Sequence, residues 1–199
     1  MRSRSGEHHL RLGVCVSGQG TNLRNLVERG FDVVAVATNR PSCAAAAFAR
    51  ERGLPIAELS QRSFASAEER DMAMRDFFRE HRVQLVVDAG YDRVHSRPFL
   101  QAFEGRIVNV HPSLLPMFGG GMDAIAQALE SGLKFTGATV HIVTAELDGG
   151  PILLQDSAPI VDGDTVETLR ARVHEVEHRI LPEGIRMMEA KLADRSSVS

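Results

Sequence analysis

The sequence has no apolar run approaching the ~20 residues that a bilayer-spanning helix needs, so a membrane is not an expected partner. It has no basic surplus either. The net charge is −3, and no arginine- or lysine-rich stripe runs along the chain, which argues against nucleic acid as a partner. The N-terminal MRSRSGEHHL is positive, but no apolar segment with a cleavage site follows it, so it does not read as a secretory signal. Cysteine is scarce. Cys15 lies in an apolar stretch and Cys43 in an alanine-rich one. Both read as buried free thiols of a reducing cytoplasm rather than a disulfide pair. No repeat and no linker divides the chain. What remains is 199 residues, 43% hydrophobic and 25% charged, the balance of one globular domain of ordinary size.

Apolar runs alternate with helical patterns through the first half. Residues 10–18 (LRLGVCVSG) predict a strand that ends in a glycine loop. Residues 21–30 predict a helix closed by Gly30, 31–39 (FDVVAVATN) a strand covered on both faces, and 42–53 a second helix closed by Gly53. A short strand is expected at LPIAEL. Over 66–82 a helix is expected, with Ser66 and Glu69 spaced as a capping box and Ala73, Met74, Phe77 and Phe78 on one face. Residues 83–91 (VQLVVDAGY) predict another buried strand. This order implies a parallel, doubly wound unit.

The second half departs from it. RIVNVH predicts a strand and residues 122–132 a helix. Two further strands, 136–144 and 150–161, are joined by the short acidic AELDG. That connection is too short for a helical crossover, so the pair is expected to be antiparallel. Pro159 marks the second as an edge or an interrupted strand. A long helix, with a kink allowed at Pro182, closes the chain. The fold class is therefore α/β: a single domain, 10–192, with a doubly wound mixed sheet flanked by helices. Residues 1–9, which include His8 and His9, and 193–199 are expected to be flexible tails.

SGQGTNL (17–23) sits between the first strand and the first helix. Ligands of open parallel sheets bind beyond the carboxyl ends of the strands, and helix N-termini attract anions. Gly18 and Gly20 let backbone amides turn toward a phosphate, while Thr21 and Asn22 add side-chain donors. A dinucleotide fingerprint is excluded, because Leu23 occupies the third small position and Asn39 the place of the acid. No Gly-Lys-Ser/Thr follows, so it is not a P-loop. The loop reads as a site for one phosphate; the alternative is a tight turn with no ligand.

Polar residues interrupt the second half at a few positions. Asn109 and His111 share one side of a strand end, Asp148 lies in the acidic loop, and His141 falls within a strand. An amide NH2 can donate to an oxyanion. A histidine can carry a proton, and a carboxylate beside it favours its charged form. Together these are the parts of an acyl transfer that uses no protein nucleophile. Two alternatives stay open: His111 as a satisfied structural histidine, and His111, His141 and Asp148 as metal ligands. His141 reads as a buried supporting residue.

SGQGTNL, AGYDR, NVHPSLLP, TGATVHIVTAELDGGPILLQ and RVHEVEHRILP follow one another in the order of the phosphoribosylglycinamide formyltransferase family, which this sequence resembles from about residue 11 to 191. N-x-H-P-S-L-L-P followed by D-x-G-P-I carries the resemblance to folate-dependent formyltransferases. The glycine loop and the late Glu-His point to this branch. The resemblance implies a Rossmann-like cytoplasmic enzyme of purine biosynthesis. It would move the formyl group of 10-formyltetrahydrofolate, a cosubstrate, to the amine of glycinamide ribonucleotide, without a metal. It implies Asn109, His111 and Asp148 as the catalytic trio. The ribonucleotide and its phosphate fall to Gly20, Thr21, Asn22 and Glu177. The folate falls to Tyr91, Asp92, Arg93, Val94, His95, Val143 and Leu147. Its partners would be small molecules, with room for a homodimer.

The sequence also departs from the family pattern. Asp92 stands where methionine is common, His95 where an aliphatic residue is usual, and Asp123 near a frequent histidine. Glycines 119–121 suggest a mobile loop. A formyltetrahydrofolate hydrolase and an amino-sugar nucleotide N-formyltransferase are the rival readings. The first usually carries an added N-terminal domain, for which the early first strand leaves no room, and a further histidine where Pro112 stands.

Overall fold

The computed structural model of the chain describes residues 10–121 and 123–196. Seven strands form one sheet in the order β3-β2-β1-β4-β5-β6-β7. β1 (Leu12–Val16), β2 (Val33–Thr38), β3 (Ile56–Glu58), β4 (Leu85–Asp88) and β5 (Ile107–His111) are parallel. β6 (Phe135–Ile142) and β7 (Ile152–Pro159) run antiparallel. The mixed, doubly wound sheet expected from the sequence is therefore the one observed, and β7, with Pro159 at its end, is the edge. A ladder position at the edge tolerates a residue with no N–H to give.

Side chains alternate along each buried strand, so the sheet separates two cores. Leu12, Val14 and Val16 of β1 face one core together with Leu85 and Val87 of β4. α1 (Thr21–Glu28), α2 (Ala44–Glu51) and α6 (Val166–Ser196) cover that face with Leu23, Leu26, Phe48, Val173, Ile180 and Met188. Cys15 and Val86 face the other core, beneath Met74 and Phe78 of α3 (Ala67–Glu80) and Phe99 of α4 (Arg97–Ala102). The Ser66 hydroxyl caps α3 by accepting from the Glu69 N–H at 3.0 Å. The reciprocal bond of the expected capping box goes one residue further out: the Glu69 carboxylate accepts from the Ala65 N–H. α5 (Ala124–Glu130) starts at Asp123, which caps it by accepting from the Ala126 N–H at 3.3 Å.

Some expectations need correction. α4, the crossover between β4 and β5, was not foreseen; at six residues with Pro98 near its start it is too short to show a helical period. α6 carries Pro182 within an unbroken helical run and extends to Ser196. Residues 193–196, expected in a tail, are thus its last turn. Residues 1–9 and 197–199 lie outside the described residues. Among the described residues, no helix is long and apolar enough to cross a membrane.

Candidate active site

The site lies where the sheet changes direction. β1 leads outward to β2 and β3, whereas β4 leads the other way to β5, so the two chains part beyond the carboxyl ends of β1 and β4. Such a switch point opens a crevice. Backbone bonds hold its floor: the Ser17 N–H donates to the Gly90 carbonyl at 3.1 Å and the Ala89 N–H to that of Cys15 at 3.0 Å.

β5 delivers Asn109 and His111 to this edge. The antiparallel register sets Asn109 opposite His141 and His111 opposite Thr139. The segment after His111 is pinned to β6 and β7. Thr139 Oγ1 accepts from the Leu115 N–H at 3.0 Å and donates to the Ser113 carbonyl at 2.7 Å. Gln155 Nε2 donates to the Leu115 carbonyl at 2.9 Å. Leu115 itself is buried. The proline-leucine stretch thus serves to anchor the end of the histidine strand.

The Asn109 amide meets the His141 ring, Nδ2 to Nε2, at 3.1 Å. Ring tautomers must be inferred, and here a backbone carbonyl decides. His141 Nδ1 lies 3.3 Å from the Ile142 carbonyl. An acceptor can only receive a donor, so Nδ1 carries the hydrogen. Burial pushes the His141 pKa down and keeps the ring neutral, although Asp148 opposes the shift. Nε2 is then an acceptor, and it must receive the Asn109 NH2. The amide is thereby fixed with its second N–H free to donate.

Asp148 joins the group from the loop after β6. It adopts a left-handed conformation, φ 53°, and places one carboxylate oxygen 3.6 Å from His111 Nδ1 and the other 3.7 Å from His141 Nε2. Both separations are longer than a hydrogen bond. Asp148 also accepts from the Gly120 N–H at 2.8 Å. On its far side the His111 ring faces the Phe118 carbonyl, 3.2 Å from Nε2. The glycine segment 119–121, expected to be mobile, is folded onto Asp148. Asn109, His111, His141 and Asp148 are therefore brought together.

These four residues line a cleft of about 280 Å³ with Tyr91, Asp92, Arg93, Val94, His95, Val143 and Leu147. Val94 and Leu147 stand exposed at its mouth. The Asp92 carboxylate is engaged elsewhere. It accepts from Asn39 Nδ2 at 2.8 Å and pairs with Arg40, while its N–H donates to Ser17 Oγ at 3.0 Å. Asp92 therefore ties the 91–95 segment to the ends of β1 and β2. Asp88, which belongs to none of the motifs above, also lines the cleft. A carboxylate in the apolar run LVVDAGY was the signal that could have found it. Asp123, by contrast, lies at the start of α5, where it pairs with Arg170.

The glycine loop stands apart from this cleft in its contacts. Gly20 is left-handed, φ 73°, and a Cβ there would lie 2.6 Å from the Ala45 Cβ, so glycine is required. It forms the N-cap of α1 with no side-chain cap bond. Orphan N–H groups at such an end suit an anion. Thr21 opens the helix. Asn22 is 5% exposed and turns inward, Nδ2 donating at 2.8 Å to Glu177 of α6, which is also 5% exposed. Burial pushes the Glu177 pKa up to about 7 against the opposing effect of Asn22. Asn22 Oδ1 has no hydrogen-bond partner.

A formyl transferase family profile matches residues 10–185. A phosphoribosylglycinamide formyltransferase of Mycobacterium tuberculosis is 42% identical over 176 residues, covering 86% of this chain and 81% of that protein. The trifunctional purine biosynthetic protein adenosine-3 of Gallus gallus is 37% identical over 185 residues, but the chain spans only 18% of its length. Among solved structures, a glycinamide ribonucleotide transformylase from Symbiobacterium toebii superposes with a TM-score of 0.87 at 42% identity, covering 92% of this chain and 89% of that one. With a family profile over most of its length and a 42% identical relative covered over most of both chains, the chain belongs to the formyl transferase family.

Proposed function

We propose that this protein transfers the formyl group of 10-formyltetrahydrofolate to the amine of glycinamide ribonucleotide, in the cytoplasm, as a step of purine biosynthesis. The observation that carries the reading is the convergence of Asn109, His111 and Asp148 on the cleft that the 91–95 segment lines. The folate would occupy that cleft, against Tyr91, Arg93, Val94, Val143 and Leu147. The ribonucleotide phosphate would sit at the uncapped start of α1, on Gly20, Thr21 and Asn22, with Glu177 behind it.

In this reading the amine nitrogen attacks the formyl carbon and a carbon–nitrogen bond forms. The oxyanion that develops accepts the free N–H of Asn109 and an N–H of His111, as the imidazolium. The bond from carbon to the folate nitrogen then breaks, and that nitrogen receives a proton from His111. Asp148 takes up the proton that the amine sheds, through water, and holds the His111 ring. His141 positions Asn109 by receiving its other N–H. No step calls on a metal. A homodimer is compatible with the reading and is not needed by it.

The test is to follow deformylation of 10-formyltetrahydrofolate by absorbance, with and without glycinamide ribonucleotide. Deformylation that requires the ribonucleotide supports the proposal. An equal rate without it would make water the acceptor and the protein a hydrolase.

A further inference from the structure

A second cluster of ligand-type side chains lies behind the cleft, on the α3–α4 side of the sheet. Cys15 of β1 is in register with Asp88 of β4, and strand alternation sends both side chains to the same face. His95 enters from the segment before α4. One ligand atom from each, the Sγ, a carboxylate oxygen and a ring nitrogen, lie within 4.8 Å of one another. The residues are 0%, 6% and 6% exposed.

The plain reading is a buried ion pair with a bystander thiol. His95 Nε2 lies 2.9–3.0 Å from both Asp88 oxygens, and its ring stacks between Tyr91 and Phe99, with centroids at 5.3 and 4.5 Å. That reading does not account for a thiol set against the carboxylate of the pair. The Cys15 thiol contacts Met74 Sδ at 3.7 Å and also lies within hydrogen-bonding reach of the Asp88 carboxylate, turned toward the other two side chains. A buried ion pair is, moreover, seldom more stable than apolar packing of the same volume.

We propose that Cys15, Asp88 and His95 form a binding site for a divalent transition-metal cation of the zinc type. Thiolate, imidazole and carboxylate are the donor set that zinc takes. Tetrahedral bonds of ordinary length put the ligand atoms roughly 3.3–3.8 Å apart. The His95–Asp88 pair needs to open by a few tenths of an ångström, and the thiol to move in by up to about 1 Å. Met74 Sδ or a water from the cleft would complete the coordination.

The charges balance. Without a cation the cluster is neutral as thiol, imidazolium and carboxylate. With M2+ it is neutral again as thiolate, imidazole and carboxylate, two protons having left. The nearest other buried charges, Arg70 and Asp71, neutralise each other at 2.6 Å. Neither state therefore strands a net charge in the core. The ion would cross-link β1, β4 and the segment entering α4, and so fix the wall of the cleft that Asp88 and His95 line. This site is separate from the Asn109–His111–Asp148 group and does not rest on the proposed reaction.

The probe is Co2+, with Zn2+ as competitor. His8 and His9 offer a competing pair, so every protein carries His8→Ala and His9→Ala. Three chains are compared: that parent, the parent with Cys15→Ala, and the parent with Asp88→Leu and His95→Leu together. The double change removes both charges at once, where losing His95 alone would leave a buried carboxylate unpaired. Circular dichroism checks that each is folded.

The parent is expected to show tetrahedral Co2+ absorption with a thiolate charge-transfer band, and to retain about one equivalent of Zn2+ per chain through gel filtration. Cys15→Ala should lose the charge-transfer band, and the double variant all specific absorption. A parent without the band overturns the proposal. So does an unchanged band in Cys15→Ala, which would assign the metal to Cys43.

Discussion

Replacing Glu177 with glutamine should make stability less dependent on pH, and the size follows from its surroundings. The carboxyl is 5% exposed, with one donor, Asn22 Nδ2, at 2.8 Å. Burial raises its pKa from 4.5 to about 7. A raised carboxyl pKa means that the folded protein holds a proton which the unfolded chain has already lost. Between pH 4.5 and 7 the folded state binds one more proton, so stability falls as pH rises, by about 1.4 kcal/mol per unit. Below the unfolded value the penalty is absent; above the folded value it is complete, at about 3 kcal/mol.

Glutamine keeps the volume and still accepts from Asn22, but it does not titrate. The stability difference between Glu177→Gln and the parent should therefore grow by about 3 kcal/mol, in favour of the variant, from pH 4 to pH 8. Urea denaturation of the two proteins across that range measures it. Taking the difference removes contributions that both share, including those of His174 and His178 on the same helix, to the extent that they do not couple to Glu177. A difference that stays level from pH 4 to 8 would refute the reasoning and show that Glu177 is solvated in the folded protein.

His111→Ala should lower kcat by roughly 10²–10⁴-fold, with little change in ribonucleotide KM, as expected for lost proton transfer and oxyanion donation; full turnover would remove His111 from the reaction. His141→Phe takes away the acceptor that fixes the Asn109 amide, so kcat should fall about 10-fold, the worth of one hydrogen bond, with KM unchanged. A rise in folate KM alone would place His141 in the binding wall instead. Gly20→Ala combines a left-handed residue with a Cβ 2.6 Å from that of Ala45, and urea denaturation should show a loss of about 2–4 kcal/mol. Asn22→Ala should raise ribonucleotide KM more than it lowers kcat; an unchanged KM would make the loop structural.

The parts legible in the sequence were those with local causes. Continuous apolar runs marked the parallel strands, because a strand covered on both faces has no polar side to show. The short AELDG connection marked the change to antiparallel. The Asn109–His111 pair stood out because polar side chains at the end of an apolar strand have few other uses. What escaped had causes far away in the chain. α4 is too short to show a period. Asn22 is buried against Glu177, 155 positions further on, so a residue read as a donor to ligand also spends its amide inside the protein. Asp92, read as part of the folate wall, ties that wall to Asn39 and Arg40. His95 stands in the sequence as a departure within the expected folate wall. It lines the cleft, yet its partner is Asp88, in a strand whose pattern hides which face is occupied.

The change of strand direction does more than close the sheet. A parallel neighbour for β5 would bring the carboxyl end of another strand to the same edge, and its register partners would come from equivalent positions. The antiparallel β6 instead brings its middle to that edge, setting His141 against Asn109 and Thr139 against His111. One strand thus supplies the acceptor that orients the amide and the hydroxyl that anchors the turn after the histidine. The same strand then leads directly into the loop that returns Asp148 to both rings. Side chains separated by 39 residues in the chain, Asn109 to Asp148, are held by a single hairpin edge. A slip of one residue between β5 and β6 would turn Asn109 and His141 to opposite faces. The bonds of Thr139 to Ser113 and Leu115 and of Gln155 to Leu115, all well away from the cleft mouth, resist that slip. Substitutions at Thr139 or Gln155 should therefore disturb turnover through the geometry of Asn109 and His111 rather than through any contact with substrate.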